Sequence, residues 1–230
     1  AEARSIEAEI AEQFNMAGRF SPEVNRAYAA LPAAFFRTMA DRLGLSAREL
    51  YEQAPLTVAR ETLLTPDQRL DQGRRGAFIP DTNTLVLLKG ADLSTALHEM
   101  GHYFLENYAR MAGQHQPLAA DMQTLLDWMG GPDLATWQQM SIEQRRAQHE
   151  KFARGFESYL FEGKAPSMEL QGLFARFRAW LTRVYRSLQG LNVELSDEVR
   201  AVFDRMLATE QEIDNAQRAR AARPIFSSAE

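Results

Sequence analysis

A chain of 230 residues with 45% apolar and 25% charged content can bury a substantial core, as one domain or as one domain with an appendage. It has no cysteine, which excludes disulfides, thiolate metal ligands and a cysteine nucleophile, and its net charge of −5 gives no reason to expect nucleic acid or an anionic membrane as partner. No apolar run reaches the ~18 residues of a membrane span and no charged leader precedes an apolar one, so a cytoplasmic setting is expected.

The first fifty residues read as helical scaffold. Ser21-Pro22-Glu23 is an N-cap with proline at the first helical position, Gly44 ends a helix, and Ser46 with Glu49 forms a capping box. Leu31-Pro32 reads as a break, which divides residues 5–54 into three or four short helices. This N-terminal helical region, residues 1–70, is expected to serve as packing. Residues 76–79 and 84–88 then alternate as two strands about the turn Pro80-Asp81-Thr82-Asn83.

The segment that carries chemistry comes next. His98-Glu99-Met100-Gly101-His102 sets two imidazoles four positions apart on one helix face with a carboxylate beside them. This spacing lets two histidines hold one zinc ion while the glutamate acts as general base on a water. Asp92 or Ser94 can cap the helix, and Leu97, Met100, Tyr103, Phe104 and Tyr108 give it a buried face as far as about residue 111. Gly101 costs roughly 1 kcal/mol of helix propensity and has a purpose only where another backbone approaches closely. Strand, short loop and HExxH helix follow one another as they do in zincin peptidases, where an edge strand beside the metal pairs with an extended substrate.

A third ligand must come from elsewhere. Leu105 and Tyr108 stand where the metzincin pattern needs Gly and His, so that class is excluded. Glu106 lies two turns beyond His98 and is expected at the surface or behind the ligands. His115, in a polar loop, reads as solvated. Ser141 and Gln144 form a capping box and Gly163 marks an exit, so a helix spans residues 141–162. On it Glu150, Ala153 and Glu157 share one face, the two glutamates about 10 Å apart, so only one of them can ligate. The competing reading is a solvated acidic row paired with Arg154. His149, about 100° around the helix from Glu150, is expected to be exposed.

Downstream, residues 167–189 form an amphipathic helix whose Arg176, Arg178, Arg183 and Arg186 make a solvated face. Ser196 caps a final long helix with Val199, Val202, Phe203, Met206 and Leu207 inward. The tail beyond about Gln217 reads as frayed.

Glu150-Lys151-Phe152-Ala153-Arg154-Gly155-Phe156 resembles the E-x-F-A-x-x-F helix of gluzincins such as the lethal-factor toxin. The stretches Arg75-Gly76-Ala77-Phe78 through Glu106 and Phe152 through Leu160 are similar to zincin-like domains embedded in large polyvalent proteins of phages and conjugative plasmids. The likeness covers roughly residues 70–210. It implies Glu150 as the third zinc ligand, with Glu157 either orienting a ligand histidine or replacing Glu150. One departure is plain: lethal-factor-type enzymes carry a tyrosine one to two turns before the ligand glutamate to hold the oxyanion, and Glu143 stands at that offset here. Tyr159 and Tyr103 are the substitutes at hand, and neither is assigned.

The expected fold is therefore α+β, mainly helical with a small sheet, of zincin-like metallopeptidase type. Residues 71–215 would form the peptidase domain with its C-terminal helices, and residues 216–230 the tail. The expected function is zinc-dependent endopeptidase action on a protein or peptide substrate. His98, His102 and Glu150 would hold the zinc, and Glu99 would act as base. The alternative is a catalytically silent zincin-fold interaction or structural module of a large phage or plasmid protein, and a weaker third reading is a small-amide hydrolase. The opening Ala1 fits a piece of such a larger protein, delivered into a host or recipient cell.

Overall fold

The computed structural model describes residues 5–60, 70–71, 75–185 and 187–222. Most of them are helical, with one small mixed sheet, so the α+β expectation holds. Helices α1 (Ile6–Ala17), α2 (Pro22–Leu43) and α3 (Ala47–Glu52) come first, each capped by a serine side chain at Ser5, Ser21 and Ser46. Contrary to the sequence expectation, Pro32 does not break α2. A proline inside a helix forfeits a hydrogen bond and crowds the preceding turn, at about 3 kcal/mol. Against that, α2 buries Tyr28, Leu31, Phe35, Phe36 and Met39 completely, each fully buried large side chain being worth about 1.5–3 kcal/mol.

Strands β1 (Thr57–Ala59), β2 (Leu70–Asp71), β3 (Gly76–Ile79) and β4 (Thr84–Leu87) form a sheet in the order β1-β4-β3-β2. β3 and β4 are the expected hairpin, paired from Gly76–Leu87 to Ile79–Thr84, and Asn83 takes the left-handed conformation that closes its turn. Sequence reading missed both flanking strands. β1 runs parallel to β4 with Val58 opposite Leu85, and β2 is antiparallel to β3.

Helix α4 (Leu93–Gln114) crosses the middle of the molecule. Asp92, rather than Ser94, is its cap: Asp92 Oδ1 accepts from the Thr95 amide at 2.8 Å, and the Thr95 hydroxyl faces the Asp92 amide at 3.4 Å. α5 (Gln116–Met129) and α6 (Leu134–Gln139) follow, then α7 (Ile142–Glu162), which begins with the expected Ser141/Gln144 capping box and ends at Gly163 in the left-handed conformation. α5 was not anticipated, although Leu118, Met122, Leu125, Leu126 and Met129 recur at helical spacing and are all buried.

The amphipathic helix expected over 167–189 is shorter, α8 (Gln171–Val184), and the chain leaves it at Tyr185. The last helix is divided. α9 (Asp197–Leu207) stops before Thr209, whose hydroxyl and amide both meet Glu212 and so start α10 (Glu210–Ala222). α10 therefore runs past Gln217, where fraying was expected, and residues 223–230 lie outside the described ones.

One apolar core runs through these elements, from Phe14 and Phe35 to Phe104, Phe156 and Phe203. The N-terminal helices are part of it. Phe35 lies 5.0 Å from Phe104 between ring centroids, and the Tyr28 hydroxyl donates to the Leu93 carbonyl at the start of α4. Among the described residues no helix is long and apolar enough to cross a membrane.

Candidate metal centre

α4 and α7 pack tightly because each presents a small residue to the other. A Cβ built on Gly101 would fall 2.8 Å from the Ala153 Cα and 3.1 Å from its Cβ, closer than carbon atoms pack. The glycine inside the HExxH motif therefore has the purpose its propensity cost required, and its partner is the small residue between Glu150 and Glu157. A second close approach, at Gly76 on β3, would bring a Cβ to 2.6 Å from the Thr95 methyl and 3.3 Å from the Glu99 Cγ, so the hairpin lies directly against the motif.

That packing decides what the facing side chains meet. His98, Glu99 and His102 are 1%, 0% and 0% exposed. Glu150 reaches in from α7 to set its Oε2 3.4 Å from His98 Nε2 and its Oε1 3.9 Å from His102 Nε2. Four ligands bound tetrahedrally at about 2.0–2.1 Å lie about 3.4 Å from one another, so these spacings are close to the edges of such a site. His98, His102 and Glu150 could together hold a metal ion, their ligand atoms all lying within 4.8 Å of one another. The histidine atoms point the same way. Buried His98 Nε2 meets only the long 3.4 Å approach of Glu150, and neither ring nitrogen of His102 makes a hydrogen bond of normal geometry. Buried polar atoms are rarely left so unless something else satisfies them. Two imidazoles and a carboxylate are a donor set that divalent transition-metal ions, zinc and iron among them, accept.

The two glutamates of α7 have different positions. Glu157 is 1% exposed and accepts at Oε2 from His98 Nδ1, 3.1 Å away, which leaves Nε2 turned toward Glu150. Its other oxygen accepts from the Ser94 hydroxyl at 2.5 Å and from the Tyr185 hydroxyl at 3.2 Å. A carboxylate bound to the far nitrogen fixes the tautomer and rotation of a ligand histidine. Glu157 thus bonds the far nitrogen of His98, and Glu150 is the carboxylate that joins the two histidines in the cluster that could hold a metal ion. Sequence reading left this open, and it also missed Ser94 and Tyr185 as the groups that hold Glu157. The acidic-row alternative needed Arg154 paired with these glutamates, and among the described residues Arg154 has no ion pair within 4 Å.

Charge follows the geometry. Burial opposes protonation of His98, but hydrogen bonds to Glu150 and Glu157 and the charges of Glu157 and Glu99 outweigh it and raise its pKa to about 9. His102 goes the other way: burial, then the neighbouring His98, His149 and Arg146, press it well below the ordinary histidine value. Burial would raise Glu150, yet its hydrogen bond and charge interaction with His98, with Arg154 and Arg146 nearby, hold it below the usual carboxylate range. Glu99 Oε2 lies 4.0 Å from His102 Nε2.

Compared with known proteins, the chain matches no family model, no curated protein and no solved structure. The chemistry of the site therefore rests on its residues and their geometry.

His149 needs correction, and Glu106 takes the second of its two expected positions. His149 is not exposed but fully buried. Its Nε2 sits 2.8 Å from Glu106 Oε1, and its ring stacks on Trp137 with centroids 5.7 Å apart. The cause is α6, unseen in the sequence, which places Trp137 over that side of α7. Glu106 accordingly lies behind the ligands rather than at the surface. It also takes Arg145 at 2.9 Å, and His149 with Arg145 holds it below the usual carboxylate range although burial opposes this. The His149 and His102 rings are 5.5 Å apart, so this network backs the second ligand histidine. His115 is half-buried at the junction of α4 and α5. Tyr103 and Tyr159 are both committed elsewhere, donating to the Ala54 carbonyl and to Asp204, so neither fills the oxyanion role.

Proposed function

We propose that the protein is a zinc-dependent endopeptidase of gluzincin type, with His98, His102 and Glu150 as metal ligands and Glu99 as general base. The observation that carries the proposal is the convergence of Glu150 from α7 on both Nε2 atoms of the α4 motif, with Glu99 beside them. Zinc bound by these three groups would acidify a water and polarise a peptide carbonyl. Glu99 would take the proton of the attacking water and return it to the leaving amine. Glu157, held by Ser94 and Tyr185, keeps His98 in the tautomer that leaves Nε2 free to ligate. Glu106 and His149 limit the movement of the His102 ring from behind.

A peptidase module within a larger phage or plasmid polypeptide is the setting that fits the sequence resemblance. The silent-module alternative draws on one observation, the near-complete burial of His98, Glu99 and His102, which leaves Glu150, 29% exposed, as the ligand in contact with solvent. Zinc content and turnover separate the two readings. About one zinc per chain in wild type, lost in His98→Ala and Glu150→Ala, supports the site. Chelator-reversible cleavage of unfolded casein that disappears in Glu99→Gln, while zinc is retained, supports the peptidase. Zinc without cleavage supports the silent module, and no zinc in wild type refutes the metal site and the peptidase and leaves the interaction or structural module.

A further inference from the structure

We infer that the mouth of this site recognises acidic peptides, with Arg154 as the residue that reads a carboxylate next to the scissile bond. The inference rests on the proposed metal site and names its substrate class. Of the three ligand side chains, two are at most 1% exposed and only Glu150, at 29%, is in contact with solvent. A substrate must therefore approach along the α7 face that carries Glu150.

That face carries two arginines beside Glu150. Arg146 and Arg154 stand one turn before and one turn after Glu150, and residues four apart share one face of a helix. Eight residues of helix span about 12 Å, the length of three to four residues of extended peptide, so a strand laid across Glu150 passes both guanidinium groups. Both arginines are partly exposed, and both act on Glu150 through their charge. Arg154 also acts on Tyr185, which places it on the side of the Glu157 hydrogen-bond cluster.

The two arginines differ in what holds them. Arg146 grips Glu143 through Nε and Nη2, at 3.0 and 2.9 Å, which neutralises much of its charge. Arg154 has no carboxylate within 4 Å among the described residues, although Glu150 and Glu157 are its i−4 and i+3 neighbours. Those two acids are turned away from it toward the histidines. A guanidinium left without a carboxylate on a chain of net charge −5, at the open side of a metal site, suits a substrate carboxylate, which it can take with two parallel hydrogen bonds.

The test uses the zinc-loaded full chain in the Glu99→Gln background, so that peptides bind without turnover, and reads fluorescence anisotropy. Three extended peptides differ only in the residues flanking the central bond, as Glu, Gln or Lys. In this background the Glu peptide should bind on the order of tenfold tighter than the Gln peptide, with the Lys peptide weakest, and the preference should shrink with added salt. Adding Arg154→Ala should bring the Glu/Gln ratio to about one, and Arg154→Glu should reverse the Glu/Lys order. Zinc content should be unchanged in both, because Arg154 lies outside the ligand set. An unchanged order in zinc-loaded Arg154→Glu, or no binding of any peptide, overturns the inference. Acidic preference in a wild-type protein that never cleaves would keep the inference and refute the peptidase reading, and cleavage without acidic preference would do the opposite.

Discussion

Replacing Gly101 with alanine tests whether the close approach of α4 and α7 builds the metal centre. On an ordinary helix the change is stabilising by roughly 1 kcal/mol, since alanine forms helix better than glycine. Here the new methyl would sit 2.8 Å from the Ala153 Cα, whereas carbon atoms pack at about 3.5–4.0 Å, so the helices must part by about 0.7 Å or more. The obstacle is backbone of α7 and cannot rotate away. Overpacking of this size costs about 1–3 kcal/mol, and with the propensity gain subtracted the net loss is about 0–2 kcal/mol. The effect on the site should be larger than the effect on the fold. Glu150 rides on α7 three residues before Ala153, so parting the helices widens its 3.4 and 3.9 Å spacings to the histidines. The measurement is zinc affinity by competition with a chromophoric chelator, alongside thermal unfolding of the metal-free protein. Expected is a folded Gly101→Ala protein, destabilised by about 0–2 kcal/mol, with zinc affinity lowered about 10- to 100-fold. Combining it with Ala153→Gly should restore affinity only in part, because the α7 backbone at residue 153 still obstructs the new methyl. A Gly101→Ala protein that is more stable by the full propensity gain and binds zinc like wild type would refute the reasoning.

Three further outcomes follow from the same geometry. Glu157→Gln keeps the shape but offers His98 Nδ1 a poorer acceptor, and should weaken zinc about 10- to 100-fold in the chelator competition without abolishing it, unlike Glu150→Ala. Tyr185→Phe removes only one of two hydroxyl donors to Glu157 and should weaken zinc less than Glu157→Gln in the same competition. At a distance from the centre, the Asp121 carboxylate binds Arg205 at 2.6 Å and Arg42 at 2.9 Å, tying α5 to α9 and α2. Burial would raise its pKa, but the two arginines hold it below the ordinary value. Its contribution is therefore complete above the unfolded pKa of about 3.9 and is lost as pH falls through the folded one. Asp121→Asn should cost about 1–3 kcal/mol in urea unfolding at neutral pH, and the deficit should narrow in acid below pH ~4. A deficit independent of pH would refute the charge argument.

The motif helix and its caps were legible because their signals are local. His98, Glu99 and His102 are set by one turn of helix, Asp92 and Thr95 by three residues of chain, and Gly101 announces a close approach by its own cost. The hairpin was legible for the same reason, from alternation around Pro80 and Asn83. What could not be read depends on neighbours distant in sequence. β1 is three residues long and is a strand only because β4 pairs with it. Pro32 remains inside a helix because the aromatic face of α2 meets α4 and α8. His149 looked exposed because a helical wheel gives direction relative to Glu150 but does not say that Trp137 lies in that direction.

The choice between Glu150 and Glu157 shows where local reading ends. Helical periodicity puts both on one face of α7 and ranks neither. The ranking comes from how α4 runs past that face: the close approach of Gly101 to Ala153 fixes the crossing, so the carboxylate before it meets the Nε2 side of the histidines and the one after it meets Nδ1 of His98. Ser94 and Tyr185 then occupy the second oxygen of Glu157, while Glu150 retains access to solvent. A ligand must face the ion and an orienting group must face away from it, and the same crossing supplies one of each. The roles of the two acids should therefore be inseparable from the crossing, and any substitution that opens it should impair ligation by Glu150 and orientation by Glu157 together.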